Sequence, residues 1–267
     1  MILTEKLLDA AKEAAIEAGK IQLSFFNKKK EISHKANEFD LVTNADKAAE
    51  TKIISVINGY FPDHDFLGEE SGFHKENKSD YIWVIDPIDG TTNYAHNFPH
   101  FAVSIGLMYQ GELFLGVVYD AFKKEMFWAA EGTGAFLNSD PIEVSAINEL
   151  KKSLLSTGFP FERAEVLEEN LAYFKEMLFK AQAVRRPGSA SLDLCYVACG
   201  RLDGFWELNL SPWDTAAGAV IIKQAGGKVN NFGSNEFDIN IKNVLASNGL
   251  IHDQIYAVIE ACKERSK

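Results

Sequence analysis

Apolar residues recur at helical spacing near both ends of the chain and form short continuous runs through its middle. Leu7, Leu8, Ala11, Ala14, Ala15, Ala18, Ile21 and Phe25 return every three or four positions, which predicts an amphipathic helix over 4–26 with Thr4 as its N-cap. Ile53, Ile54 and Ile57 predict a second helix over about 45–58, and the polar segment 31–44 between the two reads as a loop or hairpin. Strands follow in close order. One lies at Trp83. Two more, at 101–109 and 113–119, are joined as a hairpin by Gln110-Gly111-Glu112, and another at 124–130 precedes the turn Gly132-Thr133-Gly134. Thereafter the elements alternate. Strands are predicted at 154–157, 204–208 and 244–247, and helices at 167–179, 189–199, 214–224 and 251–263. Gly200 and Gly226-Gly227 close two of these helices. No repeat, low-complexity tract or long linker interrupts the pattern. It describes an α+β chain with largely antiparallel sheets, a single unit over 1–267 in which a division near 140–150 separates subdomains 1–145 and 146–267.

Composition narrows the function classes. Hydrophobic residues make up 46 % of 267, enough for a sizeable core, and 38 acids against 27 bases give a formal net charge of −11. No basic stripe of the kind that nucleic-acid binding needs is present. Lys28-Lys29-Lys30, the one tight basic run, reads as a solvated helix end where cations complement the dipole. Cys195, Cys199 and Cys262 suggest neither a disulfide framework nor a zinc site and read as core residues. The first residues lack the pattern of a secretory leader, and no run of about 20 apolar residues is available to span a membrane, so the cytoplasm is the expected location.

The chemistry concentrates in Trp83-Val84-Ile85-Asp86-Pro87-Ile88-Asp89-Gly90-Thr91-Thr92-Asn93-Tyr94. An apolar run should end as a strand at Asp86, and a Pro-Ile-Asp-Gly turn should bring Asp89 back towards it. Two carboxylates held close repel unless a cation lies between them, and hard oxygen donors suit Mg²⁺. Gly90 and Thr91 would offer backbone N–H groups at the start of a short helix, where an anion is favoured. Metal-binding acids beside an N–H cradle read as a phosphate-ester site. Asp-Pro and Asp-Gly are also ordinary turn formers, so this turn alone supports a metal site and a plain loop equally. Three further acidic sites bear on that balance. Gly68-Glu69-Glu70-Ser71-Gly72 alone is an exposed acidic loop, Asp214 in Pro212-Trp213-Asp214-Thr215 stands where a helix begins and alone is an N-cap, and Asp46 has the same capping reading.

Taken in order and spacing, Gly68-Glu69-Glu70, the stretch from Trp83 to Tyr94, and the stretch from Trp213 to Gly227 resemble the inositol monophosphatase family of lithium-sensitive, Mg²⁺-dependent sugar phosphatases, over essentially the full chain. Lys35 and Asp46 fit the upstream positions. The resemblance implies a five-layered αβαβα sandwich, usually a homodimer, holding two or three Mg²⁺ ions. It assigns Glu69, Asp86 and the Ile88 carbonyl to the first ion, Asp86, Asp89 and Asp214 to the second, and Glu69 with water to a weaker third. Glu70 would support the site from behind. Thr91 with Asp46 would orient the attacking water, and the Gly90 and Thr91 N–H groups would hold phosphate oxygens. The implied reaction is hydrolysis of a small polyol phosphate, foremost inositol 1-phosphate, by metal-activated water without a covalent intermediate.

Thr92 stands where nucleotide-bisphosphate phosphatases and many histidinol-phosphatases of this superfamily carry lysine, which favours a polyol. Ala190, through its N–H, and Glu207, as an acceptor, match the segments that contact the sugar. Arg185 and Arg186 read equally as ligands of a second phosphate, helix-end cations or dimer contacts, so fructose 1,6-bisphosphate stays open beside histidinol phosphate and 3′-phosphoadenosine 5′-phosphate. Lys35 reads either as part of a loop that closes the site or as a solvated lysine. Tyr94, where many relatives have phenylalanine, would add a hydroxyl near the site. No histidine is assigned catalysis; His96 and His100 are expected to shape the loop. The non-enzymatic alternative is a regulatory protein-binding partner, which retention of every acid of the pattern disfavours.

Overall fold

The computed structural model describes residues 2–28, 32–34, 41–74, 78–159 and 164–265. In chain order the elements are α1 (Ile2–Phe25), β1 (Ile32–His34), β2 (Leu41–Thr43), α2 (Asn44–Tyr60), β3 (Asp65–Gly68), β4 (Gly72–His74), β5 (Tyr81–Asp89), α3 (Thr91–Ala95), β6 (Ala102–Tyr109), β7 (Glu112–Asp120), β8 (Glu125–Ala130), β9 (Gly134–Leu137) and β10 (Asp140–Ile142). The second half adds β11 (Leu154–Thr157), α4 (Ala164–Lys180), β12 (Ala183–Arg185), α5 (Ala190–Ala198), β13 (Gly204–Leu208), α6 (Pro212–Gln224), β14 (Lys228–Asn230), β15 (Asn243–Ser247) and α7 (His252–Arg265).

Two sheets organise the fold. The larger has eight strands in the order β10-β9-β8-β7-β6-β5-β3-β4, antiparallel except for the β3–β5 pair. The smaller has five, β12-β11-β13-β15-β14, with β11 parallel to both of its neighbours. Apolar faces set the layering. Leu7, Ala11, Ala14 and Ala18 of α1 and Ile53 and Ile57 of α2 cover one face of the large sheet. On its other face lie α5 and α6, which also carry the small sheet. Tyr173 and Met177 of α4 and Ile255 and Ile259 of α7 close the far side. The succession αβαβα follows from these burials.

The middle layer explains its own sequence. Thr215 to Ile222 in α6 are all buried, an all-round apolar surface that only a helix between two layers can hide. Close packing against the large sheet needs glycine opposite: a Cβ at Gly116 would lie 2.3 Å from the Ala217 carbonyl oxygen, and one at Gly106 2.7 Å from the Ala216 Cβ.

Differences from the predicted elements are local. Helix α1 already runs from Ile2, so Thr4 lies within it rather than capping it. The short strands β3, β4, β9, β10, β12 and β14 carry too few residues to show alternation in sequence. In the segment 31–44, β1 and β2 pair antiparallel. Lys29, Lys30 and Lys35 lie outside the described residues. Among the described residues no helix is long and apolar enough to cross a membrane.

Candidate functional site

Residues three apart in a regular strand point to opposite faces. Asp86 and Asp89 escape that rule because β5 does not end at Asp86; it continues to Asp89 through a bulge. Asp86 pairs with Ser104 and Asp89 with Ala102, so β5 carries one more residue than β6 between those pairs. The extra residue turns both aspartates to one side. The bulge is held by the Ile88 N–H, which donates to Asp86 Oδ1 at 2.9 Å. One carboxylate oxygen each from Asp86, Asp89 and Asp214 then lie within 4.8 Å of one another.

Asp214 and Asp46 arrive by the same local device. Each is the third residue of its helix, not the N-cap: Ser211 caps α6 and Thr43 caps α2, both in capping boxes. The Ser211 N–H donates to Asp214 Oδ2 at 2.7 Å. The Thr43 N–H donates to Asp46 Oδ2 at 2.8 Å, and the Thr43 hydroxyl to the same oxygen at 2.6 Å. One oxygen of each aspartate thus fixes a helix start. The other Asp46 oxygen lies 3.3 Å from Thr91 Oγ1, whose hydroxyl is also 2.9 Å from the Ile88 carbonyl oxygen.

Asp89 is anchored from the second half of the chain. Its Oδ2 accepts from the Ser191 N–H at 2.8 Å and from the hydroxyls of Ser189 and Ser191. Ser189 occupies the N-cap of α5 but makes no side-chain cap bond, its hydroxyl being engaged by Asp89. Gly90, the N-cap of α3, has φ of 92°, a left-handed conformation that favours glycine. A Cβ there would also lie 3.0 Å from the His100 carbonyl oxygen and 3.1 Å from that of Gly188. Asn93 ties the turn to the same segments by donating to the carbonyls of His100, Pro187 and Gly188.

Glu69 sits in the turn between β3 and β4, where its N–H donates to the Ile85 carbonyl at 3.1 Å. The adjacent Glu70 is not among the residues that line the cleft; its N–H donates to Glu50 Oε2 on α2 at 2.9 Å. Glu50, unremarked in the sequence, braces this turn, and Gly68 leaves room for its carboxyl group.

The electrostatics are those of crowded, buried acids. Burial, then Glu69, Asp89 and Asp214, push the Asp86 carboxyl well above the usual range. Burial, then Asp89 and Glu69, do the same to Asp214. Burial raises Asp89 less, because hydrogen bonds from Ser189 and Ser191 favour its charged form. Such a set is strained by repulsion on its own and fits a hard divalent cation, since all its donors are oxygens.

These groups line one side of a cleft of about 410 Å³. Its remaining walls include Gly158, Ala190, Glu207 and Lys242 together with Arg186. Glu207 on β13 is raised to about 8 by burial and by Asp89, with Arg186 opposing. Asp193 on α5, 1 % exposed, is raised well up by burial and then by Glu207. No local pattern marks Lys242, which stands in the segment before β15. Ser191 was readable only as part of a helix start, and Ser189 as that start and as the neighbour of Ala190 in a segment resembling the family's sugar contacts; neither was readable as an anchor of Asp89. Arg185 is exposed and donates to the Val184 carbonyl rather than lining the cleft. The Tyr94 hydroxyl does not reach the site; it is buried and donates to the Gln22 carbonyl at 2.6 Å. His100 contributes its backbone carbonyl to Asn93, while burial lowers its imidazole to about 4.

Comparison with known proteins agrees over the whole length. Residues 3–264 match the model of the inositol monophosphatase family. An inositol-1-monophosphatase from Synechocystis sp. is 45 % identical over 254 residues, 95 % of this chain and 88 % of that protein. A Nus factor SuhB from Pseudomonas aeruginosa is 44 % identical, covering 87 % of this chain and 88 % of the relative. The solved inositol monophosphatase of Anabaena (Nostoc) sp. superposes with a TM-score of 0.88 at 44 % identity, covering 97 % of this chain and 96 % of that one.

Proposed function

The chain belongs to the inositol monophosphatase family, and on that premise we propose that it hydrolyses inositol 1-phosphate to inositol and phosphate by direct attack of water. It is a phosphoric monoester hydrolase of a metal-dependent phosphatase family. The observation that carries the site assignment is the meeting of Asp86, Asp89 and Asp214 within 4.8 Å, beside the Gly90-Thr91 turn, and the choice of inositol 1-phosphate rests on relatives named for it.

In this reading Glu69, Asp86, Asp89, Asp214 and the Ile88 carbonyl hold two or three Mg²⁺ ions. When bound, these ions supply positive charge to both the attacking and the leaving oxygen of an in-line displacement. The Thr91 hydroxyl, placed between Asp46 and the Ile88 carbonyl, orients the water and passes its proton towards Asp46. The N–H groups of Gly90 and Thr91, which open α3 and have no partner inside it, hold the phosphate oxygens. A new P–O bond forms to the water oxygen while the bond to the polyol oxygen breaks, so no enzyme side chain is phosphorylated. Glu207 and the Ala190 N–H receive the ring hydroxyls. Homodimer formation and a cytoplasmic location complete the reading, and sedimentation of the purified chain tests the dimer.

A bisphosphate as a second substrate is favoured by one observation, that Arg186 and Lys242 both line the cleft. The test is phosphate release with and without Mg²⁺ from inositol 1-phosphate, fructose 1,6-bisphosphate, histidinol phosphate and 3′-phosphoadenosine 5′-phosphate. Mg²⁺-dependent turnover led by inositol 1-phosphate is expected. Preference for another ester overturns the substrate, and no release from any of them overturns the reading.

A further inference from the structure

Helix α4 lies on the outer layer, packed over the small sheet. Of its three buried residues, Tyr173 and Met177 belong to the apolar core, while the third is Asn170, fully buried. A buried amide is retained at low energy only where its partners are fixed. Asn170 has three. Its Nδ2 donates to the Gly158 carbonyl oxygen at 2.6 Å and lies 3.3 Å from Thr157 Oγ1. Its Oδ1 accepts from the Trp206 indole N–H at 2.8 Å.

These partners flank the substrate wall. Thr157 ends β11 and pairs with Trp206 on β13. Gly158 follows Thr157, Glu207 follows Trp206, and both Gly158 and Glu207 line the cleft. The two touch closely: a Cβ at Gly158 would lie 2.0 Å from Glu207 Oε1 and 2.3 Å from its Cδ. The bare Cα of Gly158 is therefore the seat on which the Glu207 carboxyl rests. Asn170 fixes that seat through the Gly158 carbonyl and fixes the approach of Glu207 through the indole of its neighbour.

We infer that Asn170, which does not itself line the cleft, is a positioning residue that sets the Glu207 carboxyl for recognition of substrate hydroxyls. The inference rests on the proposed contact between Glu207 and the polyol ring. Its consequence is selective. Loosening Asn170 should weaken recognition of the hydroxyl-bearing part of a substrate and leave the phosphate-cleaving end untouched.

The experiment compares Asn170→Asp with the full-length wild type in Mg²⁺. The carboxylate keeps the shape and the acceptor for Trp206 but places a second acceptor against the Gly158 carbonyl. Trp206→Phe, which removes the indole donor together with part of a buried ring, is the second variant should Asn170→Asp fold poorly. For inositol 1-phosphate, KM should rise about tenfold, the size of one lost hydrogen bond, with kcat within about twofold. For p-nitrophenyl phosphate, which has no ring hydroxyls, both constants should stay near wild type. In a Glu207→Ala background, Asn170→Asp should add nothing further to KM. A parallel loss on both substrates, tracking the folded fraction, or an undiminished effect in the Glu207→Ala background, overturns the inference. If Glu207→Ala alone leaves the KM for inositol 1-phosphate unchanged, it is the proposed polyol contact that fails, an outcome separable from a Glu207 effect that Asn170→Asp does not reproduce.

Discussion

Raising the pH of the metal-free protein from 7 to 8.5 should lower its melting temperature, and Mg²⁺ should abolish that loss. Three carboxylate oxygens within 4.8 Å, all ionised, would repel by about 3.5 kcal/mol per pair at an effective dielectric of about 20. Three such pairs rival the whole stability of a domain, so the native state relieves them by retaining protons. Burial first and the neighbouring carboxylates second raise Asp86 and Asp214 and take Glu207 to about 8, while burial raises Asp89 against its serine hydrogen bonds. The native state then binds more protons than the unfolded chain between the ordinary carboxylate range and the raised values, and stability falls as pH rises through that window. A divalent cation removes the reason for the protons. At about 100 times its dissociation constant it adds about 2.7 kcal/mol. For a chain of this length that is a rise of roughly 5–10 °C. Circular dichroism melts in chelator and in saturating Mg²⁺, at several pH values, measure both effects. The control is Asp89→Asn. The side-chain carbonyl would keep the bonds from Ser189 and Ser191, and the amide would present a donor where a ligand oxygen stood. That variant should be less sensitive to alkaline pH and should gain little from Mg²⁺. A metal-free melting temperature that is flat or rising from pH 7 to 8.5, or an equal Mg²⁺ increment in Asp89→Asn, refutes the reasoning.

Thr91→Val keeps the shape but removes the hydroxyl that lies between Asp46 and the Ile88 carbonyl; kcat should fall on the order of 10²-fold with KM little changed, and an unaltered kcat removes Thr91 from the mechanism. Gly90→Ala meets both the left-handed φ of 92° and two carbonyl oxygens at 3.0 and 3.1 Å, so denaturant unfolding should show a loss of about 1–3 kcal/mol together with reduced turnover, and a variant of wild-type stability contradicts the geometry. His252, lowered to about 4 by burial and by Lys228, is neutral in the native state, so the unfolded chain gains a proton first as pH falls below about 6.5 and stability declines. His252→Gln escapes that decline. Its deficit against wild type should shrink by about 2 kcal/mol between pH 7 and pH 5, whereas a constant deficit argues that His252 protonates equally in both states.

The elements that were legible were those with a period or a clear boundary: the apolar stripes of α1 and α2, the β6–β7 hairpin, and α6, whose apolar run is closed by Gly226-Gly227. The six short strands were not, because three or four residues carry too little alternation to mark a strand, even where the partner is the next strand along, as in β3–β4 and β9–β10. The same contrast runs through the site. Asp86 and Asp89 could be placed near each other from one stretch of text, although the text suggested a turn and the chain uses a bulge. What holds Asp89 could not be read there, since Ser189 and Ser191 come a hundred residues later and look like any helix start. Lys242 and Asn170 had no local signal at all.

Asp46 and Asp214 show why weighing a capping role against a functional one was the wrong opposition. A carboxylate has two oxygens, and at the third position of a helix one of them closes a capping box with the backbone N–H of the N-cap. That bond fixes the side chain's rotamer and leaves the second oxygen pointing past the helix start, where backbone N–H groups and neighbouring acids collect. In Asp46 the second oxygen reaches Thr91, and in Asp214 the side chain joins Asp86 and Asp89. The structural role supplies the rigidity that the proposed chemical role requires. Replacing the cap therefore probes the site without touching it. Ser211→Ala removes only the hydroxyl that caps the helix and keeps the backbone N–H that holds Asp214 Oδ2, so helix stability should fall by roughly 1 kcal/mol while Mg²⁺ affinity stays near wild type. Titration of the thermal shift with Mg²⁺ reads the affinity, and a clearly weakened affinity would show that the cap hydroxyl, rather than the backbone N–H, sets the Asp214 side chain.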